Sequence, residues 1–232
     1  MSRDLYPHDW ESWEDYPSTR TSLLPYDKAN PVDVTLSAAG TAQNLFQLAP
    51  GEPTVNLVSN PSFETGSPPT GYTAVGSTLT QSATVARSGS FSLSINPDNL
   101  AVGEGAYLTT DQTLGMLVPN RTLYLVASVY LQDNVGSSDT SRIVIADTSG
   151  VTLANGNTIT LSATWQRSTA SLPLVRTASQ LRIYIVTVAQ HNTTFFADNL
   201  QLEILDRITA TTYCDGAQGV NYEWDGTAHA SV

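Results

Sequence analysis

The residues of this 232-residue chain best suited to chemistry are tyrosines rather than acids or nucleophiles. Tyr124, Tyr130 and Tyr184 alternate with strongly apolar positions, so each falls on the strand face opposite the expected core. A ring held there offers a flat apolar surface to the CH groups of a sugar and a hydroxyl to its oxygens, which makes these three the candidate glycan-binding residues. Tyrosine serves equally in cross-strand pairs and protein interfaces, so residue type alone leaves both readings open. Catalytic groups are sparse. His8, His191 and His229 lie in three separate regions, with no zinc-type spacing and no Gly-x-Ser-x-Gly motif beside them. No phosphate loop is present. A carboxylate pair for glycoside hydrolysis could come from any two strands, but few acids fall inside the strand patterns, and a non-enzymatic protein is expected.

The elements that must position the tyrosines are strands. Leu123, Leu125, Ala127, Val129 and Leu131 alternate with Tyr124, Val126, Ser128 and Tyr130, while Phe91, Leu93 and Ile95 alternate with Ser92 and Ser94. Further strands are predicted over 78–86, 142–147, 164–172, 181–188 and 194–205, separated by Gly, Asn, Asp and Pro clusters. Eight or so strands at this spacing predict an all-β, two-sheet antiparallel sandwich over residues 55–205, without a helix of useful length. Upstream, residues 32–54 read as a β-hairpin followed by a linker at Pro50-Gly51-Glu52-Pro53. Residues 1–31 read as an extended arm: Pro7, Pro17, Pro25 and Pro31 forbid long helices, yet Tyr6, Trp10, Trp13, Tyr16 and Tyr26 supply aromatic anchors. Those rings either pad the chain's own sandwich or reach a neighbouring subunit. Residues 206–232 read as a C-terminal hairpin and tail. There Asp215-Gly216 and Asp225-Gly226 form turns around Tyr222 and Trp224, with Tyr213 just ahead. So small a hairpin must lie against its own domain or against a neighbour.

Composition narrows the partners. Only 13% of residues are charged and the formal net charge is −11, so a nucleic-acid backbone or an anionic membrane would repel the chain, and neither is expected as a partner. The polar, acidic start MSRDLYPHDWESWEDY is not the pattern of a secretory signal, and no run approaches the roughly 20 apolar residues of a membrane-spanning helix. The single cysteine, Cys214, cannot form an intrachain disulfide, which suits synthesis in a reducing cytosol.

Two resemblances follow from particular residues. Tyr213-x-Asp215-Gly216 and Tyr222-x-Trp224-x-Gly226-Thr227, closing through His229 and Ser231, resemble the C-terminal ends of bacteriophage minor tail and other virion structural proteins. Cys214 and Ala228 depart from that pattern. The resemblance implies a virion protein made in the bacterial cytoplasm, a minor tail component or a capsid decoration protein. It would be anchored to other virion proteins and to copies of itself through Tyr6, Trp10, Trp13, Tyr16, Tyr26, Tyr213, Tyr222 and Trp224. Asn56-Leu57-Val58, Asn60-Pro61-Ser62-Phe63-Glu64, Gly71-Tyr72, Ser88-Gly89-Ser90-Phe91-Ser92-Leu93, Trp165 and Phe196-Ala197-Asp198-Asn199-Leu200 run in the order of the carbohydrate-binding-module jelly roll of the galactose-binding-like superfamily, which they resemble. That resemblance implies a jelly-roll topology and a glycan-binding module, on a host-recognising virion or elsewhere. It also implies a structural calcium held by Glu64, Asp198 and the carbonyls around Ser88. The alternative for those two acids is that they cap turns or pair with Arg87.

Overall fold

The computed structural model describes residues 47–49, 52–110, 122–174 and 180–213, all within the larger of the chain's two units, Gln43–Val232. The arm expected at 1–31, with Tyr6, Trp10, Trp13, Tyr16 and Tyr26, lies outside the described residues, as do residues 32–46, Tyr222 and Trp224.

The strands, in chain order, are β1 (Gln47–Ala49), β2 (Glu52–Thr54), β3 (Thr73–Val75), β4 (Ser77–Ser82), β5 (Ser92–Pro97), β6 (Gly105–Thr109), β7 (Tyr124–Gln132), β8 (Thr140–Asp147), β9 (Thr152–Asn155), β10 (Ile159–Thr160), β11 (Gln166–Pro173), β12 (Leu181–Thr187) and β13 (Phe195–Leu205). β1 and β2 pair antiparallel with Ala49 opposite Glu52, so Glu52 and Pro53, expected in a linker, are strand residues. The rest form two sheets. One runs β10-β8-β12-β6-β3 with β9 also paired to β8, and the other runs β11-β7-β13-β5-β4. The protein is an all-β, two-sheet antiparallel jelly-roll sandwich, with no helix among the described residues.

Period-two alternation builds the core. Leu125, Ala127, Val129 and Leu131 of β7 face Ile143 and Ile145 of β8 and Leu181, Ile183 and Ile185 of β12 across the sandwich, joined by Leu93 and Ile95 of β5. Each is essentially inaccessible to water. Burying a side chain of this size contributes about 1.5–3 kcal/mol, so these facing positions supply a large share of the fold's hydrophobic stabilisation. Strands β3, β6, β9 and β10 are not expected from the sequence. They are short, and their inward positions are few or small, as in Gly105-Ala106-Tyr107-Leu108-Thr109.

β13 changes phase partway along. Phe195 and Ala197 point into the core, but Asn199 and Leu200 together oppose the single Val129, a bulge that hands the core positions to Leu200 and Leu202. Without that extra residue Gln201 and Glu203 would face the hydrocarbon interior. Asn199 takes φ +55° at the bulge, a left-handed conformation that asparagine tolerates better than most residues. Beyond the bulge, β13 no longer pairs with β5. Its free edge is taken by residues 56–61, through Leu57 N–H to Leu202 O (2.8 Å), Leu200 N–H to Pro61 O (2.9 Å) and the Asn56 side chain, which donates to Leu200 O and accepts from Leu202 N–H.

On the outer side of the β13 sheet, residues 206–213 fold back as a strap. The Glu203 carboxylate accepts from the backbone N–H and the hydroxyl of Thr211, and Gln201 Nε2 donates to Thr211 Oγ1 at 2.8 Å. Arg167 donates to Thr211 O and to Ser128 Oγ. Tyr213 ends the strap, 2% exposed, its hydroxyl 2.9 Å from Ser62 Oγ. The ring is thus spent on its own domain, one of the two placements open for the C-terminal aromatics. Glu203→Ala removes an acceptor that two buried donors use, and should lower the unfolding free energy by about 1–3 kcal/mol. Urea denaturation read through tyrosine fluorescence measures it, and an unchanged midpoint would show that the strap is not held by this carboxylate.

Candidate functional site

Glu64 and Asp198 are brought to the same loop, residues 87–91. Asp198 Oδ2 accepts the backbone N–H groups of Arg87 (2.6 Å) and Ser88 (3.1 Å), and Oδ1 accepts Asn199 N–H at 2.7 Å. Glu64 Oε1 accepts from Ser90 (3.0 Å) and Phe91 (2.8 Å). Gly89 lies between, at φ +68°, where any side chain would collide with the Glu64 carboxylate. The Asn199 amide is best oriented with its oxygen toward Arg87 Nη1 (2.6 Å) and its nitrogen toward Asp198 Oδ1 (3.0 Å) and Ser88 Oγ. Burial raises the Asp198 carboxyl, the N–H donors lower it and the nearby Glu64 charge raises it, which together leave it at about 7. Both carboxylates thus cap the loop through its N–H groups, the alternative open for these two acids, and a hard cation would have to share those oxygens with the donors. Among the described residues no cluster of three His, Cys, Asp or Glu side chains could hold a metal, so an ion here would need backbone oxygens as well.

The three candidate tyrosines do not share a face. Tyr124 and Tyr130 belong to β7 in the β13 sheet, whereas Tyr184 belongs to β12 in the other. Alternation tells which residues share a strand face, but sheet membership follows from long-range pairing that the pattern does not carry. Tyr130 is moreover already engaged. The Arg87 guanidinium lies 3.6 Å from its ring centre and that of Arg167 lies 5.3 Å away. His191 is buried, its imidazole 6.0 Å from the Phe195 ring and 3.8 Å from Asp139; His8 and His229 lie outside the described residues.

Tyr184 has a partner that sequence reasoning misses. The β6–β12 register sets Tyr107 directly opposite Tyr184, and their rings meet at 5.0 Å with planes inclined by 34°. Gly105 permits that approach, since a side chain there would run into the carbonyl of Ile185 on β12. The Arg182 guanidinium stacks 4.6 Å from the Tyr107 ring, with Nη1 3.4 Å from the Tyr184 hydroxyl. Arg142 of β8 lies opposite Val186, on the other side of the pair along β12. Val144 and Val186, outward-facing yet buried, form an apolar floor between the taller side chains. At the β8–β9 edge the Asp147–Val151 turn curls in, bringing Gly150 close to the Tyr184 hydroxyl. Among the described residues no segment crosses this face as the strap crosses the other. The arrangement can stack apolar sugar faces on two rings and meet oxygens with hydroxyl and guanidinium groups.

No protein-family model and no curated protein matches the chain. Among solved structures it is similar to the CBM22-1 xylan-binding domain of Paenibacillus barcinonensis Xyn10C, at 21% identity and TM-score 0.48, covering 68% of this chain and 97% of that one. It is also similar to a cyclase from Fischerella sp. TAU, at 15% identity and TM-score 0.52, covering 68% of this chain and all of the other. At such identities the likeness is one of fold.

The Asp198 carboxyl gives a pH signature of known sign. Its folded value of about 7 lies above the unfolded value of about 3.9, so its contribution to stability is fully present below about pH 4 and is lost as pH rises through about 7. Glu104 and Asp133 are held below the ordinary carboxylate range: burial would raise each, but it is outweighed by the N–H groups of Leu100, Ala101 and Asn99 and by the Ser137 hydroxyl with neighbouring N–H groups, respectively. Their contributions are lost at lower pH, outside that window. In chelator-treated protein the unfolding free energy should therefore fall between about pH 4 and 8, and Asp198→Asn should flatten the slope. A wild-type stability that rises across this interval would refute the assignment.

Proposed function

We propose that the sandwich is a carbohydrate-binding module that takes a glycan chain across the outer face of the β12 sheet and performs no chemistry on it. The observation that carries this reading is the Tyr107–Tyr184 pair, two half-buried rings side by side on a strand-built face with an apolar floor and polar neighbours. Rings fixed by strand pairing lose little entropy when they stack on a sugar, which is how a shallow surface gains affinity without a deep pocket. The order of marker residues, from Asn56 to Leu200, supports the same reading. The virion reading rests on residues 213–232, of which Tyr213 alone is described, and that ring is buried on its own domain. No structural observation favours it over the first.

With this reading we also propose a calcium ion at Glu64 and Asp198, holding the 87–91 loop to the β13 bulge. The ion would supply positive charge to two coupled carboxylates; its role would be structural, remote from the tyrosine face. Calcium should raise the unfolding midpoint of wild-type protein by mass action and leave Asp198→Asn unmoved, and no shift in the wild type would remove the ion from the account.

Affinity electrophoresis through a panel of soluble polysaccharides tests the main claim. Wild-type protein should be retarded by at least one of them, and Tyr107→Ala and Tyr184→Ala should each weaken binding about tenfold or more while keeping the wild-type circular dichroism. Tyr130→Ala, on the opposite sheet, should bind as wild type. Equal losses in all three variants, or no retardation of the wild type by any glycan, would overturn the proposal.

A further inference from the structure

The two arginines beside the tyrosine pair point to the class of glycan. Arg182 and Arg142 lie four positions apart along the β12 register, roughly 13 Å, with Tyr184 between them. Each has an Nε that is shielded from solvent and has no hydrogen-bond partner among the described residues. A desolvated guanidinium N–H without an acceptor is costly, and costs least where a ligand supplies the acceptor. The carboxylate facing Arg182 is that of Asp147, whose Oδ1 is already spent on the N–H groups of Ser149 and Val151 in the β8–β9 turn. The two positive groups thus stand on a face that no described segment crosses, in a chain whose net charge is −11.

We infer that the β12 face binds a glycan bearing carboxylate groups at intervals, a uronic-acid-containing chain, with Arg142 and Arg182 each taking a carboxylate while Tyr107 and Tyr184 stack on the sugar rings between. A guanidinium meets a carboxylate in a two-pronged, charge-assisted geometry that a neutral sugar hydroxyl cannot match. The acidic surroundings set the other limit: a densely charged polyanion is repelled by the rest of the protein, whereas sparse carboxylates on a largely neutral chain meet only the two arginines. The inference rests on the carbohydrate-binding reading above.

The test uses the full chain and a panel of uronic-acid-bearing polysaccharides, each beside the same polymer with its carboxyl groups reduced to alcohols, titrated calorimetrically at low salt. The native polymer should bind about tenfold or more tightly than its reduced form, with the gap closing as salt is raised. Arg142→Gln and Arg182→Gln should each narrow the ratio between the two forms. Equal binding of native and reduced polymers would overturn the inference and leave the carbohydrate-binding reading standing. Binding of neither form would overturn both.

Discussion

The bulge in β13 is the constraint on which the rest of the domain depends. By setting Asn199 and Leu200 against one residue of β7, it keeps Leu200 and Leu202 in the core and turns Gln201 and Glu203 outward. Those two side chains then hold Thr211, and with it the strap that ends in Tyr213. The same irregularity leaves an edge of β13 to residues 56–61, directly after Asp198, which holds the 87–91 loop. One inserted residue thus governs the N-terminal entry and the closure of one outer face.

Closure of that face distinguishes the two sheets. The β13 sheet covers its outer side with buried polar groups and its own strap, and Tyr130 there is flanked by two arginines. The β12 sheet has no comparable cover among the described residues, and it carries the paired rings of Tyr107 and Tyr184. Similar chemistry, tyrosine with arginine, occurs on both faces. What separates them, among the described residues, is the strap that crosses one face and not the other.

Much of the fold was legible because long alternating strands leave an unmistakable period. β5, β7, β8 and β12 fall where Leu, Ile, Val or Ala recur at every second position, while β11 and β13 carry a weaker alternation of the same period. β6 did not stand out, since its inward residues are Ala106 and Leu108 after a glycine, and Tyr107 was lost with it. The grouping of Tyr184 with Tyr124 and Tyr130 failed for a different reason: strand pairing joins residues nearly 80 positions apart, such as Tyr107 and Tyr184, and nothing local encodes it. The bulge did leave a trace, in the shift of apolar positions from 195 and 197 to 200 and 202 across Asp198-Asn199. Glu64 and Asp198 were found through marker order, and the structure places both carboxylates on one loop, held by N–H groups where carbonyls were expected.

The most direct measurement of the central claim is a backbone amide NMR titration of the protein with a binding oligosaccharide. The account predicts that shift changes concentrate on β6, β8 and β12 around Tyr107, Val144 and Tyr184, with the outer face of β7 and β13 silent. Changes centred on Tyr124, Tyr130 or the strap at Thr211 would contradict it.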